Sequence, residues 1–363
     1  MSKRILVIDS GAGGRDFFAL LLKYWSRSDA SLSIWSANAQ LLNLAREQNW
    51  QFKLCRKITG QNLAFAQVMS LFWLKLKLLK DGGLRRYDAI LLYNWPEKAY
   101  LSPLIKRLGI RLIWLEDGAS DYLRIAPKVK AKLLNNSADA KVLVINQQLV
   151  EDLTDLGYYG DNLRLIPDCA LPVAIPSDLA QNLARHFKLR KDYFTIGAKL
   201  DWQDTKMAEN LIKSLQLCLD VSPHFQLVLI GGGPALEQVK WLVKRWHLET
   251  QVWLVGERPQ SARWLEGFAA FVIAGARPDW DDLSLAVTAI AKNITVIGRH
   301  NTILDQLLDQ ELGRLVVMED NQVLAQTWLT LYHEEAKIDD RINNFNKNLV
   351  GFEALADKLL AII

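Results

Sequence analysis

Disulfide, metal and membrane signatures are what this sequence most conspicuously lacks. Its 363 residues hold three cysteines, Cys55, Cys169 and Cys218. Odd in number and far apart, they form neither a disulfide framework nor a CxxC metal site, and a reduced compartment is the expectation. No apolar run is long enough to span a bilayer, and the opening MSKRILVIDSG enters a strand at once, without a signal-peptide pattern, so a cytoplasmic protein is expected. Charge of one sign is also scarce: the net charge is +4. That leaves room for an anionic ligand or an acidic membrane surface, but not the concentrated basic stripe that nucleic acid requires. With half of its residues hydrophobic and 23% charged, the chain is globular, and its length fits two domains better than one core. Tryptophan runs against this scarcity. There are 13, several beside basic residues, which fits an interfacial or sugar-contacting surface; core packing is the commoner fate of any single one.

The clearest pattern is a β-loop-α-β unit at 225–256. An apolar run (226–230) leads into Gly231-Gly232-Gly233-Pro234, then a helix patterned by Leu236, Val239, Leu242, Val243 and Trp246, then a second strand (251–255). Such continuous runs with a helical crossover predict parallel strands buried on both faces. The alternation extends both ways. Strands are predicted at 5–8, 31–36, 87–93, 111–115, 142–145 and 163–167, with helices at 16–25, 101–108 and 147–156. After a proline-rich linker (167–176) and a connecting helix (177–189) come strands at 193–197, 268–273, 294–297 and 314–317. The helices of that half are 207–221, 283–291, 303–308 and 323–332. This is an α/β chain with two doubly wound sheets, divided into domains 1–176 and 177–338 and a C-terminal helical segment, 339–363. The stretch 63–80, LAFAQVMSLFWLKLKLLK, is helix-like with an aromatic and leucine face against lysines. It fits either a peripheral membrane contact or a buried helix whose lysines emerge at one end.

Two places carry chemistry on their own terms. After the first strand, Gly11-Ala12-Gly13-Gly14 is a glycine turn with Asp16 where a dinucleotide fingerprint needs its last glycine, so a bound NAD is poorly supported. Glu116 and Asp117 end a strand, where open α/β sheets bind ligands.

Five further segments occur in a telling order: Ile196-Gly197-Ala198-Lys199-Leu200 with Lys206; Ile230-Gly231-Gly232-Gly233-Pro234; Leu254-Val255-Gly256; Gly298 to Asp305; and Pro167-Asp168-Cys169 before the linker. In that order and spacing the chain resembles the GT-B glycosyltransferases, in particular the retaining, group 1 and family 4-like enzymes that use nucleotide sugars. The resemblance covers nearly the whole length and is strongest over 194–331. It implies two Rossmann-like domains facing each other across a cleft, the first on the acceptor side and the second holding the nucleotide sugar. The implied activity is transfer of a sugar from a nucleotide-diphosphate donor to a saccharide or lipid-linked acceptor in cell-envelope or glycan biosynthesis, with no cofactor beyond the donor and no metal.

By the same resemblance Lys199 and Lys206 sit beside the leaving diphosphate, where cations stabilise the charge that develops in the transition state. Lys199 stands one place after the family's arginine and offers a point charge instead of a bidentate fork. The donor surface is implied at Gly197, Gly256, Glu257, Arg258, Asp281, Asp282, Leu283, Ser284 and Thr288. The acceptor side is implied at Gly13 and Gly14, with Glu116 or Asp117 as general base or sugar-hydroxyl ligand. The departure is the family's pair of glutamates: Trp280 and Thr288 occupy their positions. Asp279, Asp281 and Asp282 stand near the first, and Thr288 offers a hydroxyl in place of the second. Asp281 and Asp282 equally fit an N-cap and first-turn acids. The missing pair keeps a second reading alive, a catalytically degenerate GT-B protein that binds a glycan, nucleotide or protein partner.

Overall fold

Strand β1 (Lys3–Asp9) sets the pattern of the structure, a computed structural model: Ile5, Leu6, Val7 and Ile8 are all fully buried, as in a parallel strand covered by helices on both faces. The structure describes residues 3–11, 16–28, 30–55, 86–116, 125–145, 147–166, 193–200, 205–233, 235–256, 261–275, 278–300, 302–308, 312–334 and 349–362. The chain divides into two compact units, Met1–Asp168 with Gly351–Ile363, and Cys169–Val350.

In the first unit β1 is followed by α1 (Asp16–Arg27), β2 (Ala30–Ser36), α2 (Ala39–Glu47), β3 (Gln51–Leu54) and β4 (Ala89–Leu92). Then come α3 (Trp95–Arg107), β5 (Arg111–Glu116), α4 (Pro127–Ser137), β6 (Lys141–Val144), α5 (Gln147–Asp155) and β7 (Leu163–Leu165). The seven strands form one parallel sheet in the order β3-β2-β1-β4-β5-β6-β7. Helix α3 begins six residues before its sequence-based start at 101. Pro96 in its first turn is no breaker, because the amide it lacks has no partner in a first turn, and Glu97 reaches back to the Asn94 amide, 2.8 Å.

The second unit runs β8 (Phe194–Lys199), α6 (Lys206–Leu219), β9 (Phe225–Ile230), α7 (Leu236–Arg245), β10 (Val252–Gly256) and β11 (Ala270–Ile273). It continues with α8 (Trp280–Ala291), β12 (Thr295–Arg299), α9 (Thr302–Leu307), β13 (Gly313–Val316) and α10 (Asn321–His333). Its six parallel strands are ordered β10-β9-β8-β11-β12-β13. Leu211, Ile212 and Leu215 of α6 and Leu324 and Trp328 of α10 are buried in its core.

The last helix, α11 (Phe352–Ile362), belongs to the first unit. Phe352 meets Phe17 edge to face at 5.7 Å, and the Trp25 indole donates to the Ala356 carbonyl at 2.8 Å. Of the segment 339–363, the helix packs within the first unit, and 339–348 lie outside the described residues. So do the helices expected at 63–80 and 177–189. Among the described residues no helix is long and apolar enough to cross a membrane. Of the eleven described tryptophans, Trp25, Trp35, Trp114, Trp264, Trp280 and Trp328 are buried, Trp50, Trp95, Trp246 and Trp253 are half-buried, and Trp241 is 56% exposed.

Candidate functional site

Both sheets reverse direction in the same way. The first chain segment builds outwards from β1 to β3 and then returns to lay β4 beside β1; the second does the same with β8 and β11. Turns at the carboxyl ends of such a strand pair diverge, and the crevice between them is where open α/β sheets bind ligands. The chemistry-bearing residues gather at these two points.

In the second unit Lys199 is the last residue of β8, level with Ile273 at the end of β11. Across from it Asp279 caps α8, accepting from the Asp282 amide at 2.8 Å, while Asp282 accepts from the Asp279 amide at 3.2 Å. This reciprocal box starts the helix three residues earlier than the apolar pattern from Leu283 suggests. Asp282 is a first-turn acid, as one sequence reading had it; the cap itself is Asp279. The Lys199 ammonium lies 2.8 Å from Asp282 Oδ1 and 3.3 Å from Asp279 Oδ1. Burial works against its charge, but Asp279, Asp282 and Asp281 outweigh burial and hold the ammonium well above the ordinary lysine range. Burial and the neighbouring Asp279 raise Asp282 to about 6, against the pull of Lys199. The three groups remain reachable, with side chains 19% (Lys199), 33% (Asp279) and 17% (Asp282) exposed. Lys206 is exposed on the first turn of α6.

Several of the other donor-side residues also serve the local structure. A Cβ on Gly197 would sit 2.1 Å from the Phe268 ring, so this glycine makes room for an aromatic side chain. Gly256 has φ +76°, a left-handed backbone, with open space where its Cβ would be. Leu283, Ser284 and Thr288 are buried within α8, and the Thr288 hydroxyl donates to the Ser284 carbonyl at 2.7 Å. That bond uses the proton expected to reach a ribose. Glu257 and Arg258 lie outside the described residues.

In the first unit the described charges around the corresponding point are buried. Glu116 ends β5 but is buried, its carboxylate 3.0 Å from the equally buried Lys98 ammonium, which also donates to the Leu115 carbonyl at 2.5 Å. This ion pair fixes Glu116 against α3, away from the role of an exposed base. Beside it Asp9, at the end of β1, accepts from the Gly11 amide (3.0 Å) and the Asn94 side chain (2.6 Å). Glu97 Oε1 accepts from the Ser10 amide at 2.6 Å and Oε2 from the Asn94 amide at 2.8 Å. Burial first, and Asp9 second, push the Glu97 carboxyl up to about 7. Gly13, Gly14 and Asp117 lie outside the described residues. Glu97 and Lys98 were not singled out from sequence; the available signal was Asn94-Trp95-Pro96-Glu97, a capping-box spacing ahead of a helix.

No protein-family model matches the chain, and no curated protein is similar to it in sequence. Solved structures are similar in shape. HepE of Anabaena, in complex with UDP and glucose, superposes with a TM-score of 0.79 at 14% identity, over 100% of this chain and 99% of that one. Sucrose-phosphate synthase of Thermosynechococcus elongatus gives 0.71 at 15% identity over 99% and 98%. A protein assigned as a UDP-N-acetylglucosamine 2-epimerase of Listeria monocytogenes gives 0.65 at 12% over 99% and 95%. At these identities the likeness establishes the fold, which is GT-B, with two Rossmann-like parallel sheets. It leaves the reaction to the residues, since one fold hosts many chemistries.

Proposed function

We propose that the chain is a glycosyltransferase that moves a sugar from a nucleoside-diphosphate donor to a saccharide or lipid-linked acceptor. The observation that carries the reading is the set of charges at the second reversal point. Lys199, Asp279 and Asp282 meet at the carboxyl ends of β8 and β11 and stay accessible, and Lys206 is exposed at the start of the helix that follows β8. Breaking a glycosidic bond to a diphosphate leaves negative charge on the β-phosphate, and a fixed cation there favours the transition state over the ground state. Lys206 is the residue assigned to that phosphate. Lys199, already balanced by two carboxylates, orients Asp282 towards the sugar hydroxyls; Asp281 and the backbone of Gly256 complete the donor side. That HepE holds UDP and glucose on the same fold is in keeping with this assignment.

Calorimetry with uridine, guanosine and adenosine diphosphates tests it. One of the three binds, and Lys206→Ala weakens that binding roughly 10- to 100-fold, the loss of one charge-assisted contact. Unchanged affinity in the variant removes Lys206 from the site.

A second reading is a GT-B protein that binds its ligand without turning it over. It is favoured by Trp280 and Thr288, which occupy the positions of the family's glutamates and are buried at 6% and 2% exposure. Incubation with a panel of nucleotide sugars and acceptors separates the two: release of free nucleotide from any donor excludes the second reading.

A further inference from the structure

We propose that the outer face of α7 is a docking surface for an anionic lipid bilayer, with the Trp241 indole entering the interface and Lys244 and Arg245 meeting the headgroups. Trp241 is the exposed one among the eleven described tryptophans, with 56% of its surface in solvent. The helix already spends Val239 and Val243 on the core, so this indole is surplus to packing. An indole joins a large apolar body to one polar N–H, and such rings are favoured where an apolar phase meets water. Lys244 and Arg245, both exposed, follow Trp241 by three and four residues and therefore share its face. The Arg245 guanidinium lies 5.0 Å from the centre of the Trp241 ring.

The charge of this face complements phosphate headgroups. Among the described residues neither Lys244 nor Arg245 has an acidic partner. The acids nearest in sequence are Glu237, which Lys240 holds at 2.6 Å, and Glu249, beyond the helix and the turn that ends it. On the neighbouring α6, Glu209 is taken up by Lys213 at 2.8 Å. The helix dipole favours cations in a last turn, which accounts for Lys244 and Arg245 but not for an exposed indole beside them. The outer face of a helix is convex and lacks the enclosed, directed polar groups that hold a small ligand, so it fits a flat partner. An acidic protein meets the same cations, whereas a bilayer also offers the apolar layer that the indole can enter. Each cation near an anionic leaflet adds about fivefold to partitioning. The attachment is thus weak, reversible and sensitive to salt, and it does not depend on the glycosyltransferase reading.

Flotation of the full chain with lipid vesicles tests the surface without donor or activity. At about 0.1 M salt, vesicles of phosphatidylglycerol and phosphatidylcholine carry the protein and vesicles of phosphatidylcholine alone do not. Lys244→Ala and Arg245→Ala together weaken binding roughly 25-fold, two factors of about fivefold. Nitroxide-labelled lipid in the anionic vesicles quenches the tryptophan emission of the natural protein, and quenches Trp241→Phe less. All three positions are exposed, and an unchanged midpoint in urea verifies that the variants fold. No binding by the natural protein, equal binding to both kinds of vesicle, or unchanged binding of the double variant overturns the proposal; the last outcome moves the contact elsewhere, as to 63–80. Capture by polyglutamate that the double variant loses, with no flotation on vesicles, overturns it in favour of an acidic protein partner.

Discussion

The two reversal points are built on one plan and finished in opposite ways. Each joins the end of a first strand to the turn after a later neighbour, and each places a carboxylate at N3 of the following helix: Glu97 on α3, Asp282 on α8. In the first unit the charges are sealed in, with Lys98 and Glu116 each 1% exposed. In the second they stand at the rim, Lys199 being 19% exposed. Buried charges cost desolvation and act mainly on backbone geometry; charges at a rim remain available to a ligand. The same local motif thus serves as scaffold in one half and as candidate chemistry in the other.

The largest expected effect breaks the buried side. Lys98→Ala leaves Glu116 without its ammonium and lowers stability by about 3–5 kcal/mol in urea unfolding. Lys199→Ala, whose partners keep some water, lowers it by about 1 kcal/mol. Equal losses would erase the distinction between the two points. Next comes the pH dependence of stability. The folded state holds the Glu97 proton to about 7 against an ordinary 4.5, so stability present below pH 4.5 is lost as pH rises through 7. At about 1.4 kcal/mol per pH unit the loss is roughly 3 kcal/mol, and Glu97→Gln removes that slope. The smallest effect sharpens the rim. Asp279→Asn keeps the cap, since asparagine caps as well as aspartate, but removes a negative charge beside Lys199. Nucleoside-diphosphate affinity then rises a few-fold in calorimetry; a fall would make Asp279 itself a ligand.

The parallel strands were legible because burial on both faces leaves continuous apolar runs, and the helices around Leu211 and Val239 because their stripes repeat at helical spacing. Helices α2 and α4 and strand β3 were not singled out. Gln51–Leu54 is short and largely exposed, and Pro127–Ser137 buries only Leu133 and Ser137, so neither carries a strong apolar period. At the site, Lys199 and the aspartates stood out individually, but the contact between Lys199 and Asp279 joins residues 80 apart in sequence, which no local pattern contains. Gly197 and Thr288, implied as ligand contacts by the resemblance, also meet the Phe268 ring and the Ser284 carbonyl, partners that are visible only after folding.

Helix α11 gives the chain a timetable. The second unit, Cys169–Val350, lies wholly between the two pieces of the first. At about 5–20 residues per second, its synthesis occupies roughly 10 to 40 s. Throughout that interval Phe17 and Trp25 have no Phe352 or Ala356 to cover them. The half made first is the half finished last, so the nascent first unit presents an apolar seam to chaperones while its successor folds.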